Sequence, residues 1–370
     1  MRVLLDLTCL RTAQVGVRQY AEALRSSLLS LGGGVRLIEC AAPVPRYTAH
    51  DSAPRRMLRH LMLLSWYQLA LPLMTAARRV DVLICPEYYS PLLTRRPRIV
   101  VFYDTLFWDR PEYPAWWRAT LMINAIIPAK SGASVVTISQ SARTDVARLL
   151  RLDPSRISVA PIAVAARTAP NDAGTRLIRL GIQQDFLLHV GALERRKDIP
   201  RLINAFSQAK NAMPTTSLVL AGPPSPIRSL SDADRIERIV AEQGLRSQVL
   251  RTGFVSEQDL DALYANATAL VFASQAEGFG IPLAEAMAAG LPIVAIRSRT
   301  TEEVVADAAL LVEPGDDDGL ARAMVSIVTN ARLRADLSRR GLERAQAYSL
   351  SVFRTRLAEI LARATGGPVP

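Results

Sequence analysis

Cysteine, histidine and lysine are all scarce in this chain, with three of each among 370 residues. Cys9, Cys40 and Cys85 cannot build a disulfide framework, and no two of them stand at zinc-ligand spacing. With His50, His60 and His189 as the only imidazoles, no structural metal is expected. The cysteines read as small core residues in a reducing compartment. No apolar run reaches the roughly 20 residues that span a bilayer. Met1 to Asp6 enter a strand directly, without the basic, apolar and small-residue regions of a secretion signal, so a cytoplasmic chain is expected. Basic residues interleaved with aromatics are missing too, and nothing reads as a helix-turn-helix, which argues against nucleic acid as partner.

What remains is an ordinary globular composition, 49% hydrophobic and 21% charged, in a chain long enough for two domains. Charge is unevenly spread. Residues 1–170 hold 22 Arg and Lys against 11 Asp and Glu, and residues 171–370 hold 23 of each, so the first part carries the whole net charge of +11. Scattered solvated arginines would explain this, and so would a basic face resting on anionic lipid head groups.

Short apolar runs recur at 2–7, 35–40, 81–85, 98–103, 133–138 and 156–160, then at 185–191, 216–221, 248–253, 268–273 and 292–296. Their near-continuous apolarity predicts strands buried on both faces, hence parallel sheets between helices. The chain is therefore expected to be α/β, with two doubly wound domains joined near 165–175, where periodicity is lost. Ligands of such sheets bind at the carboxyl ends of the strands. Residues 55–79, apolar with arginine at both ends, are interrupted by Gln68 and Pro72. They fit a helix lying on an interface or a core helix, and the core helix is the expectation.

The sharpest signal follows the run Ala269-Leu270-Val271-Phe272-Ala273-Ser274. Glu277-Gly278-Phe279-Gly280-Ile281-Pro282 leads through Glu285 to Gly290-Leu291-Pro292. Pro282 suits a helix's first turn and Gly290 its end, so the amino end of a helix sits directly behind Gly278 and Gly280. Such an end attracts anions. Carboxylates eight residues apart can each hold hydroxyls of a ligand whose phosphate lies there, as in a sugar nucleotide.

These residues resemble the retaining glycosyltransferases of family four, whose GT-B fold sets two Rossmann-like domains face to face. Glu277 and Glu285 match that family's E-x7-E motif, which implies contact with the donor sugar and the ribose respectively. Gly191-Ala192-Leu193-Glu194-Arg195-Arg196-Lys197 resembles the turn whose basic residues embrace the donor diphosphate, which points to Arg196 and Lys197 with Arg195 assisting. By position Gly222 and the segment Gly253-Phe254-Val255 belong to the donor site, the latter beside the base, together with Gly191, Gly278, Phe279 and Gly280.

The first part resembles the family more loosely. Gly16 heads a segment matching a phosphate-facing turn in which Arg18 replaces a second glycine. Val100 to Leu106, followed by Pro111-Glu112-Tyr113, matches a segment in which Tyr103 replaces a histidine and Asp104 is kept. A phenol with a reference pKa of about 10 is a poor base near neutrality. Arg18 and Ser139 are assigned to the acceptor side.

The resemblance implies an acceptor domain over 1–168, a nucleotide-sugar domain over 175–347, and a last helix within 348–370 that returns to the first domain. It implies a metal-independent hexosyltransferase with no cofactor, using GDP-mannose, or else UDP-glucose or a UDP-N-acetylhexosamine. The acceptor implied is a lipid-linked saccharide of surface polysaccharide synthesis, met at the inner face of the cytoplasmic membrane. An epimerase of the same fold, or a non-catalytic sugar-nucleotide binder, would keep the same motifs. The acidic pairs Asp232/Asp234 and Asp316/Asp318 read as helix caps and turns. His189 reads as a satisfied core residue, and Ser256 as the cap of a helix containing Asp259.

Overall fold

The computed structural model of the protein describes residues 1–12, 15–45, 52–105, 108, 119–225 and 230–367. The chain divides into two compact units, one of residues 1–163 with 350–370 and one of residues 164–349. The first holds six parallel strands: β1 (Arg2–Asp6), β2 (Arg36–Cys40), β3 (Val82–Cys85), β4 (Arg98–Phe102), β5 (Ser134–Thr137) and β6 (Ile157–Val159). They lie in the order β2-β1-β3-β4-β5-β6. Leu4, Leu83, Val100, Phe102 and Val135 from this sheet pack with Tyr67, Leu71 and Val146 from the helices on its faces.

The second unit holds β7 (Phe186–Val190), β8 (Ser217–Ala221), β9 (Val249–Gly253), β10 (Ala269–Phe272), β11 (Ile293–Ile296) and β12 (Leu310–Val312). Their order is β12-β11-β10-β7-β8-β9, and every ladder is parallel. This is the Rossmann arrangement, whereas the first sheet has the order found in flavodoxin-type folds. The eleven predicted strands all form. β12 was not expected, because Leu310-Leu311-Val312 is too short a run to stand out from its surroundings.

Residues 164–168 pack with the second unit, not with the domain that the sequence reading gave them to. The Val164 amide donates to the Tyr348 carbonyl at 2.9 Å, and the Arg167 side chain is paired with carboxylates of the same unit. Tyr348 likewise stays there, its phenol donating to the Val304 carbonyl at 3.0 Å. The helix Leu350–Thr365 belongs to the first unit, where Phe353 meets Tyr20 edge to face at 5.3 Å.

The segment 55–79 departs from a plain core helix. An α-helix over Ala53–Ser65 runs into a π-helical turn at Trp66–Ala70 and then a second α-helix, Leu71–Ala77. Tyr67, Leu71 and Thr75 are buried, but Leu58, Leu61, Leu69 and Leu73 are all exposed. Both faces of the segment are apolar, so periodicity alone could not show that only one of them is covered. Cys9 and Cys85 are buried core residues as expected; Cys40 is half-buried, its thiol directed at the Leu5 carbonyl. No helix among the described residues is long and apolar enough to cross a membrane.

One close approach fixes the top of the second sheet. Gly222, just after β8, has φ +151°, and a Cβ placed there would lie 2.0 Å from the Gly191 carbonyl oxygen. Gly253 has φ +68° but open space around it. Gly222→Ala is expected to cost about 3 kcal/mol because backbone must move, and Gly253→Ala about 1 kcal/mol, as backbone strain alone. Urea midpoints of the two variants check the difference, and equal losses would show that the Gly191 contact is relieved cheaply.

Candidate functional site

In the second sheet the strand order reverses between β7 and β10, and in open α/β sheets ligands bind beyond the carboxyl ends of the strands at such a switch. The loops that leave these two strands carry the basic turn and the first glutamate of the acidic motif. After β7, Gly191 has φ +145°, and a Cβ there would sit 3.4 Å from Lys197 Cε. The turn Arg195–Lys197 ends at Asp198 in the left-handed region, from which the helix Ile199–Ala209 starts with Pro200 in its first turn.

The loop after β10 is tied to that turn. The Gln275 amide donates to the Arg196 carbonyl at 2.9 Å, and Gln275 Nε2 donates to Asp198 Oδ2 at 2.8 Å. Between these backbones the Glu277 carboxylate meets two cations. Arg196 Nη1 lies 2.7 Å from its Oε2, and Lys197 Nζ pairs with its Oε1. Only 12% of the Glu277 side chain is exposed, and 7% of that of Lys197. Burial alone would push the Glu277 carboxyl up; Lys197 and Arg196 overcome this and hold it down at about 2. Burial lowers the Lys197 ammonium, while Glu277 draws it upward. Glu277 is further anchored by Thr300, whose hydroxyl donates to its carbonyl at 2.9 Å.

Glu194, which the sequence reading left without a role, is buried and accepts from Arg196 Nε at 2.8 Å and from Ser225 Oγ at 3.2 Å. It fixes one edge of the guanidinium whose other edge meets Glu277. Glu194 and Glu277 thus balance Arg196 and Lys197, while Arg195 is exposed on the same turn.

Gly280 caps the helix Ile281–Ala288 with φ +86°, and Pro282 stands in its first turn. The first amides of such a helix have no acceptor within it, so they can bind an anion. Glu285, one turn in, is buried, with both oxygens engaged: Arg167 Nη2 donates to Oε1 at 2.5 Å, and the Tyr264 phenol to Oε2 at 2.9 Å. Arg167 also reaches Asp261 at 2.5 Å and lies over the Tyr264 ring at 5.1 Å. Burial pushes the Glu285 carboxyl up, against the pull of Arg167 and Tyr264. Arg167 was missed because a lone arginine in an aperiodic stretch has no spacing to betray it.

Other expected residues fall into place unequally. Phe279 is 3% exposed and meets Tyr348 edge to face at 5.2 Å, so its side chain anchors the loop in the core. Phe254 is 78% exposed beyond β9, with Val255 half-buried beside it, and Gly278 is buried. Ser256 caps the helix Glu257–Asn266, and Asp316 caps the helix Asp317–Thr329. His189 is fully buried with Nδ1 3.3 Å from the Val271 carbonyl, but Nε2 has no partner, so it is only half satisfied. Burial and Lys197 lower its pKa to about 4, which keeps the ring neutral.

In the first unit Gly16 lies within the first turn of the helix Val15–Ser30, not in a separate turn, and Arg18 is exposed on it. Tyr103 donates its phenolic proton to the Pro86 carbonyl at 2.6 Å, and burial raises its pKa well above the usual value. Asp104 is half-buried after β4. Ser139 is fully buried, and its hydroxyl caps the helix Gln140–Leu150 by accepting from the Ala142 amide at 2.9 Å. Leu106 and Pro111-Glu112-Tyr113 lie outside the described residues. Among the described residues no group of three His, Cys, Asp or Glu could hold a metal ion.

Removing Arg167 leaves Glu285 buried without its cation, so Arg167→Ala is expected to lose about 3 kcal/mol at pH 8. The folded carboxyl of the variant then binds a proton more readily than the unfolded one, so its stability deficit shrinks as pH falls toward 5. Urea midpoints of parent and variant at pH 8 and pH 5 check this. A deficit independent of pH would assign Arg167 to packing alone.

The family model for glycosyl transferases group 1 matches residues 179–344, and that for glycosyltransferase family 4 matches residues 15–166. The O-antigen chain mannosyltransferase B of Escherichia coli is 29% identical over 274 residues, 71% of this chain and 69% of that protein. The serotype-specific mannosyltransferase WbdA of Escherichia coli is 28% identical over 234 residues, 61% of this chain but only 28% of that much longer protein. Among solved structures, HepE of Anabaena in complex with UDP and glucose aligns with a TM-score of 0.72 at 20% identity, covering 98% of this chain and all of that one. With both units matched by models of one kind, the two parallel sheets are those of the GT-B fold, and the chain belongs to the group 1 glycosyltransferases of family 4.

Proposed function

We propose that this glycosyltransferase moves a hexose from a nucleoside diphosphate sugar to a saccharide hydroxyl in surface polysaccharide synthesis, with retention at the anomeric carbon and without a metal. The observation that carries the reading is the Glu277 carboxylate clamped by Arg196 and Lys197 beside the glycine-capped amino end of Ile281–Ala288. Kinship with two mannosyltransferases supports GDP-mannose as donor. The UDP and glucose held by HepE support a uridine nucleotide as the second reading.

Glu277 accepts hydrogen bonds from the hexose hydroxyls, and Glu285 from the ribose. The departing diphosphate gains negative charge as the glycosidic bond breaks, and fixed cations on the Arg195–Lys197 turn, with the helix amides, stabilise that charge without reorganising. The acceptor hydroxyl attacks from the face the diphosphate leaves, and the leaving phosphate oxygen takes its proton. Glu277 is too firmly ionised and too closely paired to serve as an acid, so the protein contributes position and electrostatics. The acceptor is a lipid-linked saccharide, and the basic first part of the chain favours its approach along an anionic membrane.

Glu277→Ala and Lys197→Ala are each expected to lower turnover by about 10²–10³-fold, with circular dichroism unchanged and activity of the parent retained in EDTA. A thermal-shift panel of GDP-, UDP- and ADP-sugars identifies the donor, since a bound ligand raises Tm by mass action. Parental turnover in either variant removes that residue from the chemistry. A panel in which no sugar nucleotide raises Tm overturns the reading as a whole.

A further inference from the structure

Nine of the thirteen large apolar side chains that stand exposed among the described residues lie in one region of the first unit. Met57, Leu58 and Leu61 come from the helix Ala53–Ser65, and Leu69 and Leu73, 60% and 70% exposed, from its continuation. The others are Leu93 and, from the helical stretch ending at Lys130, Met122, Ile123 and Ile127. One hydrogen-bond network holds these pieces together. Gln68 Nε2 donates to Asn124 Oδ1 at 2.8 Å, Gln68 Oε1 accepts from the Leu92 amide at 3.0 Å, and the Ser90 amide donates to the Asn124 carbonyl at 2.7 Å. Gln68 and Asn124 each sit in a π-helical turn, Trp66–Ala70 and Met122–Ile126. The leucines around Gln68 are thus carried on a braced surface.

The segments that build this surface carry charge of one sign, with Asp81 the exposed carboxylate at their margin. Arg55, Arg78, Arg79, Arg95, Arg96 and Lys130 are exposed beside it, and neither Asp nor Glu occurs in residues 52–80, 88–103 or 119–144. A second copy of the chain meeting this face by two-fold symmetry would set arginine against arginine with few carboxylates to answer them, Asp81 being already bonded to the Arg2 amide. An anionic bilayer answers both features at once: phosphates receive the guanidinium rim and the acyl boundary receives the leucines.

We propose that Leu58, Leu61, Leu69 and Leu73, with Met122, Ile123 and Ile127, form a face that inserts shallowly into an anionic membrane, rimmed by arginines that pair with lipid phosphate. The proposal deepens the lipid-linked acceptor reading, on which it rests for the choice of a bilayer as partner. It gives that acceptor a docking surface which the charge count alone does not locate. Apolar insertion and electrostatic attraction then contribute separately. The first survives high salt, and the second fades as the Debye length shortens.

The test is sedimentation of the full chain with vesicles of phosphatidylcholine alone or with 30% phosphatidylglycerol, a composition chosen at about the anionic content to which basic surfaces respond. The parent is expected to bind the anionic vesicles at least tenfold more tightly. Leu69→Gln/Leu73→Gln is expected to lose at least tenfold at low and high salt alike, and Arg95→Gln/Arg96→Gln to lose only the salt-sensitive part. Both pairs are exposed, so Tm should hold. A Leu73→Trp variant reports insertion directly, through a blue-shifted emission on anionic vesicles. The proposal is overturned if the parent ignores anionic lipid, if the leucine variant binds like the parent, or if light scattering shows a parental dimer that the leucine variant abolishes. Sugar transfer to a water-soluble acceptor, assayed alongside, separates the readings. Vesicle binding without use of a lipid-linked acceptor defeats the acceptor reading and leaves the docking face standing.

Discussion

A largely buried carboxylate between a buried ammonium and a half-buried guanidinium is stable only if every partner is held in place, and the second unit is organised around meeting that condition at Glu277. Any one of Glu277, Arg196 or Lys197 left alone in so dry a position would be driven to neutrality or outward to water. The loops after β7 and β10 are therefore laced to each other by backbone and side chain, through Arg196, Gln275 and Asp198. The approach of Gly222 to the Gly191 carbonyl brings the next loop, with Ser225, against Glu194. Glu194 in turn aims Arg196. Four charges are thus locked to one another by groups of this unit alone, the kind of fixed electrostatics that the proposed chemistry draws on.

The second glutamate follows the same logic with different parts. Glu285 lies on a helix, and its cation comes from Arg167, 118 positions earlier in the chain. Tyr264 closes the triangle by donating to the carboxylate while offering its ring to the guanidinium. The two motif carboxylates are thus paired with separate basic partners, Glu277 with Arg196 and Lys197 and Glu285 with Arg167.

Much of this could be read from the residues because parallel strands covered on both faces are apolar throughout, and eleven of twelve announced themselves. β12 did not, having three residues. The acidic motif was legible since proline, glycine and glutamate stand at spacings that only a capped helix explains. Phe279 and Ser139 show what a motif leaves open: it tells which residues travel together, not which side chains face inward to support the rest. Arg167 and the outward leucines left no pattern, because the first acts across a long stretch of chain and the second sit on a helix apolar on both sides.

The π turn at Trp66–Ala70 absorbs one residue within its helix. A π turn holds one residue more than the α-helical turn it replaces. Deleting that residue would restore a plain α-helical turn and leave Leu71 and Thr75 inward, in the same phase relative to Ala53–Ser65, while Gln68 in the turn itself would lose its place opposite Asn124. A deletion in the regular turns on either side would instead rotate the two helices by about 100° against each other and scatter the leucines of the shared face.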